Sequence, residues 1–178
     1  NQLTSLNISN NTKLEYLDCG DNQISGIDVS KNVALETFYC GYNPLDALVV
    51  TENTALKLLD CCANKLTSIN LSKNTKLEKL YISGNILTNL DLSNNLLLRQ
   101  VYCGFNDADY LLKVDIGNNQ ILKDLCENES LVHYFYDGDF LHTDTYAFVK
   151  YSDVENHIVD SVLSLASNVV LMENGEFV

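Results

Sequence analysis

Six cysteines, three histidines and ten tyrosines are the side chains of this 178-residue chain best suited to bind a metal, cross-link, act on a substrate or recognise a ligand. Their spacing decides among those chemistries. Cys19, Cys40 and Cys61 recur every 21 residues, and Cys103 follows two periods later with Ile82 at the place between. A position that accepts Cys or Ile holds a small hydrophobe, so this file is expected to be buried thiols. Stacked strands would bring their Cα atoms within about 4.8 Å, but parallel Cβ vectors aim the sulfurs poorly for a bridge. Cys61 and Cys62 are neighbours in a strand and point to opposite faces, which prevents them from chelating one ion. Cys62 and Cys126 stand outside the file and are the two expected to reach the surface. His133, His142 and His157 lack the close pairing of a zinc motif. Asp137-Gly138-Asp139 is too short for a calcium loop. No glycine motif for cradling phosphate is present. These residues predict no catalytic constellation, no metal and no cofactor.

The tyrosines point instead to recognition. In the same 21-residue frame, Asp18, Tyr39, Asp60, Tyr81 and Tyr102 occupy one outward position, with small residues (Gly20, Gly41, Cys62, Ser83, Gly104) two places on. Tyr42 and Phe105 follow at the next position. Tyr offers a large, rigid, amphipathic area at little entropic cost. Tyr39, Tyr42, Asp60, Tyr81, Tyr102 and Phe105 are therefore the expected partner-contact residues. The alternative is that each Tyr packs beside its ladder neighbour and stabilises the sheet. A second outward file, Asn7, Asp28, Val49, Asn70, Asp91 and Asp115, carries smaller side chains, and replacing Asn70 there is expected to cost under about 0.5 kcal/mol.

What positions these files is a repeat. Leu14, Leu35, Leu56, Leu77 and Leu98 each open a phrase Leu-x-x-Leu-x-Cys-x-x-Asn, as in Leu14-Leu17-Cys19-Asn22 and Leu56-Leu59-Cys61-Asn64. A second phrase of the same form fills the other half of each unit, as in Ile24-Ile27-Val29-Asn32 and Leu66-Ile69-Leu71-Asn74. A half-unit, Leu3-Leu6-Ile8-Asn11, stands first. Fixed periods of this length predict a solenoid in which each coil buries its apolar edge against its neighbours. Leu17 and Cys19 are two apart and point inward together, while Asp18 points out. The two Asn files fall where the backbone bends, and a buried amide there can satisfy peptide groups that the bend leaves unpaired.

At these residues the chain resembles a leucine-rich repeat protein, in particular the nested bacterial class with a 21-residue unit. The resemblance covers residues 1–126, about six coils. It implies a mainly β solenoid of short parallel strands in a right-handed coil and most often a protein-binding role, with no catalytic residues to carry over. The unit from Leu98 to Leu122 holds three extra residues near Asp107 to Tyr110, expected as a bulging loop, with a dedicated contact loop as the alternative. The array stops where Glu127 takes an inward place, since an unpaired carboxylate facing the core costs several kcal/mol.

Residues 127–178 read as a small α+β cap. Leu131 to Tyr136 and Phe140 to Tyr151 are strand-like. Ser152 with Glu155 forms a capping box ahead of Val154, Ile158, Val162 and Ala166, predicting a helix that ends near Asn168. Asn174-Gly175 predicts a hairpin between Val169 to Met172 and Glu176 to Val178. Val159, Val162 and Leu163 are expected to cover the last coil around Leu122 and Leu125.

The net charge of −13 is uneven: residues 1–126 hold 14 acids and 10 bases, residues 127–178 hold 10 acids and one base. Such a surface repels phosphate backbones, so nucleic acid is excluded as a partner. No run approaches the roughly 18 apolar residues of a membrane span, so no transmembrane segment is expected. The chain begins in mid-pattern without Met, which leaves export open. The expected role is a non-catalytic interaction or adhesion module for a protein partner, extracellular or at the bacterial cell surface. A glycan-binding module using the tyrosine row is the alternative, and a cytoplasmic site is compatible with the thiols.

Overall fold

The computed structural model describes residues 1–103 and 112–122, together with four strands nearer the C-terminus. The first phrase of each coil forms a three-residue strand: β1 (Tyr16–Asp18), β2 (Thr37–Tyr39), β3 (Leu58–Asp60), β4 (Lys79–Tyr81) and β6 (Gln100–Tyr102). In the second phrase, β5 (Asn89–Asp91) and β7 (Leu112–Asp115) are strands. The four further strands are β8 (Thr145–Val149), β9 (Val162–Ala166), β10 (Val169–Glu173) and β11 (Glu176–Phe177).

Strands β1, β2, β3, β4 and β6 pair in parallel, each residue beside its equivalent one repeat later: Leu17 with Phe38, Phe38 with Leu59, Leu59 with Leu80, Leu80 with Val101. This register follows from the period. Because side chains alternate, one register puts every central hydrophobe inside, and a one-residue slip would turn all of them to solvent. Leu35, Leu56, Leu77 and Leu98 reach the same core from the preceding bend, and all four are fully buried. Each such side chain contributes roughly 1.5–3 kcal/mol by leaving water.

The two Asn files hold the bends by different bonding. Asn64 accepts from the Leu45 N–H through Oδ1 (3.0 Å) and donates through Nδ2 to the carbonyls of Cys40, Cys61 and Cys62 (each 3.1 Å). Asn43 does the same one coil earlier, with the Ile24 N–H and the carbonyls of Cys19, Cys40 and Gly41. In the other file, Asn53 and Asn74 donate to two carbonyls of the preceding coil, Val29 and Asn32 for the first, Val50 and Asn53 for the second. The Oδ1 atoms of Asn32, Asn53, Asn74 and Asn95 are buried and take no hydrogen bond from the protein.

The second phrase pairs less than the first. Before β5 it carries no strand, and single bonds such as Lys65 N–H to the Leu45 carbonyl (2.8 Å) and Ile86 N–H to the Leu66 carbonyl (2.9 Å) tie it to the next coil. Among the described coils a second-phrase ladder forms where β5 meets β7, pairing Leu90 with Val114 across the longer unit.

The C-terminal strands extend the solenoid edge. β9 pairs in parallel with β6, Leu163 beside Val101, and β8 closes that sheet antiparallel to β9. β10 pairs in parallel with β7, and β11 pairs antiparallel with β10, the two strands expected to form a hairpin. The helix expected to end near Asn168 is corrected here, because Val162–Ala166 is strand. The apolar positions that fit a helical period also fit a strand, and the open edge of β6 supplies backbone partners that outweigh local propensity. Residues 152–161, Leu131 to Tyr136, Asp107 to Tyr110, Leu125 and Cys126 lie outside the described residues, and residues 120–122 are helical.

Candidate recognition face

The outward residues of β1, β2, β3, β4 and β6 form one continuous surface. Register places Asp18, Tyr39, Asp60, Tyr81 and Tyr102 side by side in that order. Tyr81 and Tyr102 stack with ring centroids 5.0 Å apart and planes inclined by 20°. The Tyr81 hydroxyl donates to Gln100 Oε1 (3.1 Å). This pair therefore does stabilise its own sheet, as the alternative reading of the tyrosines requires, while both residues keep part of their surface in solvent.

Tyr39 pairs with a residue that the repeat frame passed over. Its ring lies 5.8 Å from that of Tyr16, tilted by 53°, and Tyr16 is exposed. Tyr16 precedes Asp18 by two residues and so shares its face; alternation within β1 was the signal that could have found it. Tyr42 sits just beyond the row at φ 56°, and 45% of its surface is exposed. Each first bend passes through this left-handed region, at Asp21, Tyr42, Ala63 and Gly84 in turn. Glycine adopts it without the steric cost of about 1–2 kcal/mol that an aromatic residue meets there. Phe105 lies outside the described residues.

Asp60 is the half-buried carboxylate of the face. Its Oδ1 accepts the Cys62 N–H (3.0 Å), as Asp18 Oδ1 accepts the Gly20 N–H (3.0 Å). Gly41 makes room for it: a Cβ there would stand 3.0 Å from Asp60 Oδ1 and 3.2 Å from the Cys62 carbonyl. Burial pushes the Asp60 carboxyl above its ordinary range; the Cys62 hydrogen bonds pull it down less, and Asp18 adds a small push upward. The Tyr81 phenol is pushed up to about 12, first by burial and then by Tyr102, Tyr39 and Asp60. Burial, followed by Tyr16, Asp60 and Asp18, raises the Tyr39 phenol. The Tyr39 and Tyr81 phenols thus stay protonated near neutral pH.

The thiols are the opposite of reactive. Cys19, Cys40, Cys61 and Cys103 are buried and unbridged. Burial pushes Cys19 up to about 11 and Cys103 to about 12, and raises Cys40 and Cys61 well above the ordinary thiol range. Cys62, expected at the surface, is only partly exposed, and burial with Asp60 raises its thiol too. Among the described residues no group of His, Cys, Asp and Glu is placed to hold a metal ion.

The second outward file does more than expected. Asp28 Oδ1 accepts the Ser30 N–H (2.9 Å), Asp91 the Ser93 N–H (2.9 Å) and Asp115 the Gly117 N–H (2.9 Å). Asn70 accepts both the N–H and the hydroxyl of Ser72 (3.0 and 2.7 Å), and Asn7 does the same for Ser9. These side chains fold the bend by the Asx-turn geometry. Val49 alone in the file cannot, and it is 67% exposed.

A parallel sheet advancing one strand per 21 residues, an inward Leu and Cys file and an Asn ladder bonded to the preceding coil together fix the class. The chain is a leucine-rich-repeat solenoid. Among solved structures, this repeat array is similar to the functional domain of InlJ from Listeria monocytogenes, described as including a cysteine ladder. That match has 35% identity over 67% of this chain and 26% of the other, with a TM-score of 0.63. It is also similar to a leucine-rich-repeat protein of Leptospira interrogans, at 26% identity over 64% of this chain and 30% of the other, with a TM-score of 0.51. The chain thus spans less than a third of the length of either relative. No family model matches the sequence. No curated protein matches it either. Among the described residues, no helix is long and apolar enough to cross a membrane.

Proposed function

We propose that this leucine-rich-repeat array is a non-catalytic interaction module of the nested bacterial 21-residue class. Residues 1–126 form the array and residues 127–178 its cap, and a protein partner is received on the tyrosine face. The placement proposed with this role is the cell surface or the extracellular space. The observation that carries the reading is Tyr42. A large aromatic side chain is held exposed at a positive φ where glycine is the more stable residue, beside the row of Tyr39, Asp60, Tyr81 and Tyr102. An aromatic ring kept exposed at a strained backbone position, next to other exposed rings, supports contact with a partner at this face.

The experiment is affinity capture with the intact chain, identification of the partner, and titration of single variants. Tyr81→Ala is expected to weaken binding by roughly 1–2 kcal/mol, the range for a central aromatic contact. Tyr42→Gly is expected to weaken binding while raising stability, a combination that a misfolded variant cannot give. Unchanged affinity in both, with the fold intact, removes the face from the reading. Capture of glycans and no protein would favour the same face as a carbohydrate platform.

A further inference from the structure

We propose that Asp60, with Tyr39 and Tyr81 on either side, is a subsite for a cationic side chain, arginine above all, of an extended protein segment lying across the coils.

The arrangement is specific to one coil. Backbone register sets Tyr39 directly beside Asp60 and Asp60 directly beside Tyr81. Strands pair about 4.8 Å apart, so the two tyrosines stand roughly 10 Å from one another with the carboxylate between them. That gap admits a planar guanidinium, which can hydrogen-bond the carboxylate below while its faces meet aromatic rings. Asp18 has Tyr39 on one side only within the described residues, and Asp28, Asp91 and Asp115 face outward from the second phrase.

The charge around Asp60 fits the same occupant. None of the ion pairs of the described residues, Lys57 with Glu36, Lys73 with Glu52 and Arg99 with Glu78, includes it. The charged group that acts on its carboxyl is another acid, Asp18, while burial disfavours its ionisation. Among the described residues, the fold therefore holds a half-desolvated carboxylate between aromatic rings with no cation paired to it. An arriving guanidinium supplies the missing charge, and Asp18, two coils away in the row, adds to the attraction. Oδ1 is held by the Cys62 N–H, and the Cys62 side chain also bonds the carboxylate, so the guanidinium would meet it through Oδ2.

This assignment rests on the tyrosine face being the recognition surface, and the test separates the two. The probe is Nα-acetyl-arginine amide, titrated into the intact protein while the ring resonances of Tyr39 and Tyr81 and the Cys62 amide are followed by NMR. Nα-acetyl-citrulline amide, the neutral isostere, is the control. Saturable shifts at these three residues with the arginine probe and none with citrulline are expected. Asp60→Asn keeps an acceptor oxygen for Cys62 and is expected to weaken the probe about fivefold or more, the scale of one charge-assisted, ring-flanked contact. Asp28→Asn, an equivalent turn-forming carboxylate in the other file, should leave it unchanged. Equal response to citrulline, equal loss with Asp28→Asn, or no saturable shift overturns the subsite. If Tyr81→Ala weakens the captured partner while Asp60→Asn does not, the face stands and the cation subsite falls. If neither weakens it, the face falls as well.

Discussion

The Asn64 amide donates to the carbonyl of Cys40, 24 residues earlier in sequence and one coil away in space, at 3.1 Å. With its bond from the Leu45 N–H, this one side chain satisfies peptide groups on two coils at once. Asn64→Ala would leave the buried Leu45 N–H without its acceptor and take one of two amide donors from the Cys40 carbonyl, which keeps Asn43. The expected loss is about 1–3 kcal/mol. Asn70→Ala removes the exposed turn to Ser72, which raises the expected loss from under about 0.5 to about 0.5–1 kcal/mol. Denaturant midpoints of the two variants check the order, and coincident midpoints would contradict it.

Val49 gives the converse experiment. Thr51 follows it by two residues, as Ser30 follows Asp28 and Ser72 follows Asn70, so Val49→Asn can form the turn its file otherwise shares. It also removes an exposed apolar side chain. A gain of about 0.5–1 kcal/mol is expected, seen as a melting temperature higher by roughly 1–4 °C. A fall in melting temperature would show that the coil does not accept the turn.

Asp60 should show its burial through pH. Its carboxyl holds the proton more tightly in the folded chain than the ordinary value of 3.8 allows. Its contribution therefore favours folding at pH below that value, weakens as pH rises through the window up to the raised pKa, and is a net cost above it. Asp60→Asn, which keeps the turn to Cys62, is expected to match or exceed the parent in stability near pH 7. The difference should shrink as pH falls below the window. Urea titrations at the two ends measure it, and a variant less stable only at neutral pH would reverse the sign.

The thiol file makes a chemical prediction. Cys40, Cys61 and Cys103 are fully buried with raised pKa values, so almost no thiolate is present near pH 8. Alkylation of these three in the native protein is expected to be slower than in urea by orders of magnitude, limited by unfolding. Peptide mapping after brief iodoacetamide exposure reads this directly, and rapid native labelling of any of the three would refute it.

Truncation after Cys126 removes the strands that pair with β6 and β7. The fragment would present unpaired parallel edges over an open apolar core, the condition for edge-to-edge association. Self-association on size-exclusion chromatography is the expected outcome. A monomeric, cooperatively unfolding fragment would show that the C-terminal strands are dispensable to the array.

The 21-residue period by itself determined the coil, its inward files and the side-by-side order of Tyr39, Asp60, Tyr81 and Tyr102. Stacking identical units leaves only one register that buries Leu17, Phe38, Leu59 and Leu80 together. The unbridged thiols were legible in the same way, because a place shared by Cys and Ile is defined by volume. What the tertiary structure alone decided lies where the pattern is silent or breaks. Tyr16 meets Tyr39 across strands, the small row leaves room at Gly41 for the Asp60 carboxylate, and Asp28 or Asn70 turns back on its own backbone; none of these distances is periodic. The segment Val162–Ala166 is the clearest case. Its hydrophobes suit either a helix or a strand, and it becomes a strand because β6 offers an unpaired edge, a partner visible only once the coils are stacked.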